Sequence, residues 1–276
     1  MIRKLTMNDI IEHYLIYYGS SFSNALALSP CPTMWEEMNE IKAHYQDLLF
    51  GKSSVYSVKD ILRMCVRGLY STGHQRRVEV RAIDEAVDSL MKDKWTIHSA
   101  LNGTVLRGKN RFYDKFADFE ELYHAIRQII GGVNGIGFVT VYDTARRLGH
   151  LLNKPIYPCA YVYLHYNKVN SAAKAILGVS KLNYREPALI FLCPFGKLPS
   201  INIEDLLCTY SDIFVTINKS EDDADETVVR ATANRWREMT LEDFLKLQEE
   251  KQKKAKAPKR WKEFTKHLLN KKIKNL

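Results

Sequence analysis

Apolar residues recur every third or fourth position along most of the chain, and short polar clusters close each run. Asn8 precedes "DIIEHYLIYY" and is read as its cap, "TMWEEMNEIKAHYQDLLFG" stops at Gly51, and "SVKDILRMCVRGLYSTG" opens with a Ser57-x-x-Asp60 box and stops near Gly73. "RAIDEAVDSLMKD" carries the same period, which predicts an N-terminal helical part over residues 1–94. Asn-Gly, Arg-Gly and Lys-Asn pairs make 95–117 a loop-rich connector.

Asp118-x-x-Glu121 then caps "FEELYHAIRQII", where Leu122, Ala125, Ile126, Ile129 and Ile130 keep helical spacing until Gly131 and Gly132 end it. A second helix is expected from about Phe138 through Leu152. Short helices are expected at "SAAKAIL" and "INIEDLLCTYSDIF", the latter capped by Asn202, while five prolines between 155 and 199 cut this half into pieces. Alternating β-branched residues in "VTINKSEDDADETVVRATA" predict a hairpin. Thr240-x-x-Asp243 opens a last helix before Pro258, and 118–245 and 246–276 divide as a second helical part and a basic helical tail. The predicted class is mainly α, a multi-helix bundle.

A chain of 276 residues with 46% hydrophobic content is long enough for one large core or two modest ones. Five scattered cysteines, none in a ligand spacing, predict a reduced compartment, no metal site and no cofactor; Cys159 is read as a buried structural thiol. No run of about 18 apolar residues occurs, so no transmembrane segment is expected and the cytoplasm is the expected location. The net charge of +9 is concentrated: residues 246–276 hold twelve Lys or Arg against three Glu, which leaves 29 of each sign in 1–245. Any attraction to a polyanion therefore comes from the tail or from local patches in the body.

One stretch carries chemistry. In "VNGIGFVTVYDTARRLG" a helix is followed by an h-x-G-h-G turn, with h apolar, and then by another helix, with Val133, Gly135, Ile136, Gly137 and Ala145 in place. Across 118–152 this resembles the helix-hairpin-helix motif. Glycine permits a positive φ and a close backbone approach, and the amides at the following helix start can meet an anion. The resemblance implies contacts to a nucleic-acid phosphate from Asn134, Gly135, Gly137, Phe138 and Thr140. Arg146 and Arg147 in the second helix, and the basic loops with Arg76, Arg77 and Arg111, are the candidate supporting cations.

The segment "NKPIYPCA" extends the likeness to helix-hairpin-helix DNA glycosylases, whose hairpin leads to a catalytic Asp. Here Cys159 and Ala160 occupy that neighbourhood, and Val139 stands where bifunctional members place a lysine. The resemblance thus implies the architecture without that chemistry. The stretch also resembles an uncharacterised bacterial family with a GIG-x-x-TVYDTA-x-R-[IL]-G core and a following Val-Tyr-Leu-His element, matched here by Gly135 to Gly149 and by Val162 to His165.

Tyr142, Asp143, Arg147, Tyr163 and His165 are candidates to converge; Asp143 with His165 would be an acid/base pair, and the plainer expectation is that Asp143 holds Arg147 one turn on. Taken together, the sequence predicts a nucleic-acid-binding protein. DNA is the expected partner and RNA the second, while the basic amphipathic tail with Trp261 and Phe264 could also take a protein partner. A nucleic-acid-processing enzyme and a protein-interaction module with a purely structural hairpin are the alternatives.

Overall fold

Helices dominate the computed structural model, which describes residues 3–17, 34–50, 55–69, 78–92, 116–152, 154–165, 167–196, 198–215 and 235–254. Several begin where short polar side chains answer amides that have no helical acceptor. For α1 (Met7–Tyr17) this is a Thr6-x-x-Asp9 box: Asp9 Oδ2 accepts from Thr6 N–H at 2.9 Å and Thr6 Oγ1 lies 3.3 Å from Asp9 N–H. Asn8, expected as the cap, lies inside the helix. α2 (Met34–Phe50) follows, and α3 (Val58–Arg67) starts at the anticipated Ser57–Asp60 capping box, complete in both directions. α4 spans Val80–Lys92, and α5 (Phe119–Ile130) starts where Asp118 Oδ1 accepts from Glu121 N–H at 3.0 Å. α6 is Phe138–Leu151.

Contacts divide the chain into two compact units, and one of them consists of α2 to α6. This corrects the expected boundary at 94. α4 buries Ala82, Ile83, Ala86, Val87 and Leu90, one apolar stripe at helical spacing, and it packs on both α3 and α5. α6 packs on α2, α3 and α5 and is buried on nearly every side, from Thr140 to Leu151 with Asp143 half-buried. Stripes from both sides of 95–117 therefore close a single core. Of that connector only Phe116 and Ala117 fall among the described residues.

The other unit contains α1 and the elements after Pro158: β1 (Tyr161–Tyr163), α7 (Asn167–Leu177), β2 (Arg185–Pro187), α8 (Ser200–Thr209) and α9 (Leu241–Lys254), with short helical turns between them. β1 and β2 pair antiparallel with Val162 opposite Glu186. Three residues per strand are too few to register as alternation in the sequence. The hairpin expected over 215–233 falls, from residue 216 on, outside the described residues. Tyr14, Val162, Phe191, Leu206, Tyr210, Phe214 and Phe244 fill this unit's core.

Two further expectations are corrected here. Asn202 is buried inside α8, which starts at Ser200 after Pro199 with no side-chain cap. The boundary at 245/246 cuts through α9, where Phe244 and Gln248 are both buried; Thr240 caps that helix, its Oγ1 3.1 Å from Asp243 N–H. Leu5 N–H donates to Met239 O at 3.0 Å and Leu241 N–H to Arg3 O at 3.1 Å, tying the start of the chain to the start of α9. Among the described residues no helix is long and apolar enough to cross a membrane.

Candidate functional site

The turn between α5 and α6 is built from local bonds and two glycines in different roles. Gly131 N–H closes α5 on Arg127 O at 2.9 Å, Val133 N–H reaches Ile130 O at 3.1 Å, and Ile136 N–H reaches Val133 O at 3.0 Å. The chain reverses at Gly135, whose φ of +88° is the left-handed region that a side chain rarely enters. Val133 and Ile136 turn inward and are buried, so the loop is held by its own apolar residues. Gly137 is extended, with φ −90° and ψ 172°, and serves as the N-cap of α6 without a side chain to cap it.

Val141 N–H to Gly137 O, 3.1 Å, is the first helical bond of α6. The leading amides of the helix have no acceptor within it, and the N-cap supplies none. Around this helix start lies a recess of about 330 Å³ lined by Arg127, Gly131, Ile136, Gly137, Phe138 and Val141. Phe138 is half exposed, and the Arg127 guanidinium sits 5.1 Å from its ring centroid. Beyond Gly137 and its two chain neighbours, no atom lies within 4 Å of where a Cβ on Gly137 would stand. The positive end of the α6 dipole and the Arg127 cation thus face the same small opening, an arrangement suited to an anion.

The predicted residues fall into three groups. Asn134, Gly135, Gly137 and Phe138 lie on the exposed side of the turn. Thr140 is buried and its carbonyl accepts from Thr144 Oγ1 at 2.6 Å, so only its backbone amide belongs to the helix start. Arg146 and Arg147 are corrected: both are buried in the helical core. Arg146 lies 5.3 Å from the Tyr142 ring centroid. Arg147 donates through Nε to Glu37 Oε2 at 2.9 Å and through Nη1 to Cys65 O at 3.0 Å. Arg76, Arg77 and Arg111 lie outside the described residues. Arg127 was missed; its only sequence signal was a basic residue in the last turn of the helix before the glycines.

Arg147 pairs with Glu37 from α2. Tyr142, Asp143 and Arg147 belong to one unit, Tyr163 and His165 to the other. Cys159 is exposed, against the expectation of a buried thiol. Cys65 is buried, and burial pushes its thiol up to about 12, so it stays protonated.

The most evident titratable group near α6 is His150. Its Nδ1 lies 2.6 Å from Tyr157 Oη and its Nε2 3.0 Å from Asn39 Oδ1, with Trp35 edge-on at 4.8 Å. Burial, with the charge of Lys42, lowers it to about 4. Both ring nitrogens are engaged and the ring is neutral near pH 7, which suits a packing role.

Most fixed positions of the GIG-x-x-TVYDTA-x-R-x-G stretch have a physical task. Gly135 makes the turn, Ile136 plugs it, and Val141, Tyr142, Thr144 and Ala145 pack. Gly149 admits the returning chain, since a Cβ there would stand 2.6 Å from Ile156 O. Comparison with protein-family models, with curated proteins and with solved structures finds no match.

Proposed function

We propose that this chain binds nucleic acid, DNA in the first place, by holding a backbone phosphate at the start of α6. In this reading α5, the glycine turn and α6 are a helix-hairpin-helix motif. The observation that carries it is the recess at Gly137, where an uncapped helix start, an open approach and the Arg127 guanidinium meet. Such a contact fixes position on the duplex without reading sequence. Phe138 beside Arg127 offers an apolar wall for the sugar.

Gly137→Asp tests the proposal without disturbing the fold. The site's φ of −90° suits any residue, nothing crowds the new side chain, and Asp is among the best N-cap residues. Stability should be unchanged or slightly higher. The carboxylate, however, would occupy the anion's place and cap the amides itself. Duplex affinity in a low-salt mobility shift should fall about tenfold, and the salt dependence should lose roughly one phosphate's share. Unchanged binding in a stably folded Gly137→Asp protein would sink the proposal.

A further inference from the structure

The second unit carries a feature that the glycine turn does not use: a layered row of rings and cations along the β1–β2 pair. Tyr161 and Tyr163 share one face of β1, and Arg185, opposite Tyr163, lies on the same face. The Arg185 guanidinium stands 4.7 Å from the Tyr161 ring centroid and 5.7 Å from that of Tyr184. Tyr184 in turn lies parallel to His165, with 15° between planes and 6.1 Å between centroids, and His165 is 5.1 Å from Tyr163. Tyr163 is buried and anchors the row; Tyr161, Arg185, Tyr184 and His165 are each part-exposed. Leu164 N–H donates to Tyr184 O at 2.7 Å, which fixes the backbone beneath the rings.

The stretch from α7 through β2 is rich in cations. Residues 167–187 hold Lys168, Lys174, Lys181 and Arg185 against the single acid Glu186. Glu186 Oε1 accepts from Asn183 N–H at 2.6 Å and from Asn183 Nδ2 at 2.9 Å, and Lys168 and Lys181 are exposed. In residues 1–245, where the signs balance overall, this stretch is net positive and lies beside planar π surfaces. Rings for stacking within a cationic surround are what an unpaired polynucleotide requires: bases stack on aromatic side chains and the backbone tracks the positive charge.

We propose that Tyr161, Arg185 and Tyr184 form a stacking surface for single-stranded nucleic acid, with Lys168 and Lys181 meeting its phosphates. It extends the nucleic-acid reading to a second surface and stands or falls apart from the glycine turn.

The test uses the full-length protein with a labelled oligothymidylate of about 12 nucleotides, inside the range of roughly 4–16 that small binding modules cover. A closed hairpin duplex is the parallel probe. Tyr161→Ala and Tyr184→Ala are each expected to raise the Kd for the oligonucleotide about tenfold, since stacking is worth roughly that or more per base. Tyr184→Phe, which keeps the ring, should bind like the native protein, and duplex binding should change less than about twofold. A 5-iodouracil oligonucleotide should photo-cross-link within residues 161–187, a readout that needs no variant.

Gly137→Asp should leave oligonucleotide binding in place, so each surface can fail alone. Unchanged oligonucleotide affinity in both alanine variants, or cross-links elsewhere, overturns the proposal. So does binding to phosphatidylserine vesicles in place of the oligonucleotide, which would assign this face, with the exposed Leu189, Ile190 and Leu192 beyond β2, to a lipid surface.

Discussion

Replacing Arg147 by methionine asks whether this side chain belongs to the core or to a ligand. Its Nε and Nη2 both donate to Glu37 Oε2, at 2.9 and 2.8 Å, and the other Glu37 oxygen accepts from Leu69 N–H at 2.6 Å. Nη1 reaches Cys65 O at 3.0 Å. The bonds form an exchange at the end of α3. Leu69 N–H, which stands four residues past Cys65, is given to Glu37, and the guanidinium answers the Cys65 carbonyl in its place. The two charged side chains are 2% and 6% exposed, so water cannot substitute for either partner.

Methionine keeps the aliphatic stem but leaves a buried carboxylate without its cation. Deleting one member of such a pair costs about 3–5 kcal/mol, a large share of the roughly 5–15 kcal/mol that holds a domain together. Urea unfolding followed by far-ultraviolet circular dichroism should show the midpoint falling by more than about 1 M at an unchanged slope. Glu37→Gln with Arg147→Met should cost less than the two single changes added, with a coupling of at least about 2 kcal/mol. A loss below about 1 kcal/mol in Arg147→Met, accompanied by weakened DNA binding, would refute the burial argument and return Arg147 to the surface.

Three further outcomes are expected. His13, 2.7 Å from Tyr210 Oη, and His150 are both lowered to about 4 by burial. Their stabilising effect is therefore complete above the unfolded value near 6.5 and is lost as pH falls from there to about 4, by up to roughly 3 kcal/mol for each ring. Urea midpoints across pH 7.5 to 4.5 should trace that loss, and His150→Gln should flatten its share of it. Gly149→Ala should destabilise by about 2 kcal/mol or more in the same assay, because its Cβ meets the Ile156 carbonyl rather than a movable side chain. Ending the chain after Lys254 should reduce both DNA affinity and its salt slope, whereas ending it after Leu245 also removes the buried Gln248 and should lower the melting temperature.

The helices were legible because their signals are local. Ser57, Asp118 and Thr240 cap where their spacing to an acid three residues on says they should, and Leu122, Ile126 and Ile130 of the expected α5 stripe are buried, joined by Phe119 and Tyr123. The same local logic misplaced the cap of α1 at Asn8, since the Thr6–Asp9 pair satisfies two groups at once where Asn8 would satisfy one. Non-local facts were out of reach. Nothing in the spacing of α4 says that it shares a core with α5 across the connector, and β1 and β2 pair across 21 residues with only three on each side.

The glycine turn stands between two helices where its pattern put it, yet the cations expected beside it do not lie at the surface. Arg146 and Arg147 look like phosphate ligands because they are basic and follow the glycines, but a helix packed on α2, α3 and α5 has almost no solvent face to offer them. A charged side chain at such a position must find a buried partner, and α2 supplies Glu37 for Arg147. The cation at the turn comes instead from Arg127, because the last turn of α5 stands beside the first turn of α6 and remains partly open to solvent. In a glycine turn between packed helices, the basic residue to examine is therefore the one that ends the first helix, where the bundle still leaves a surface.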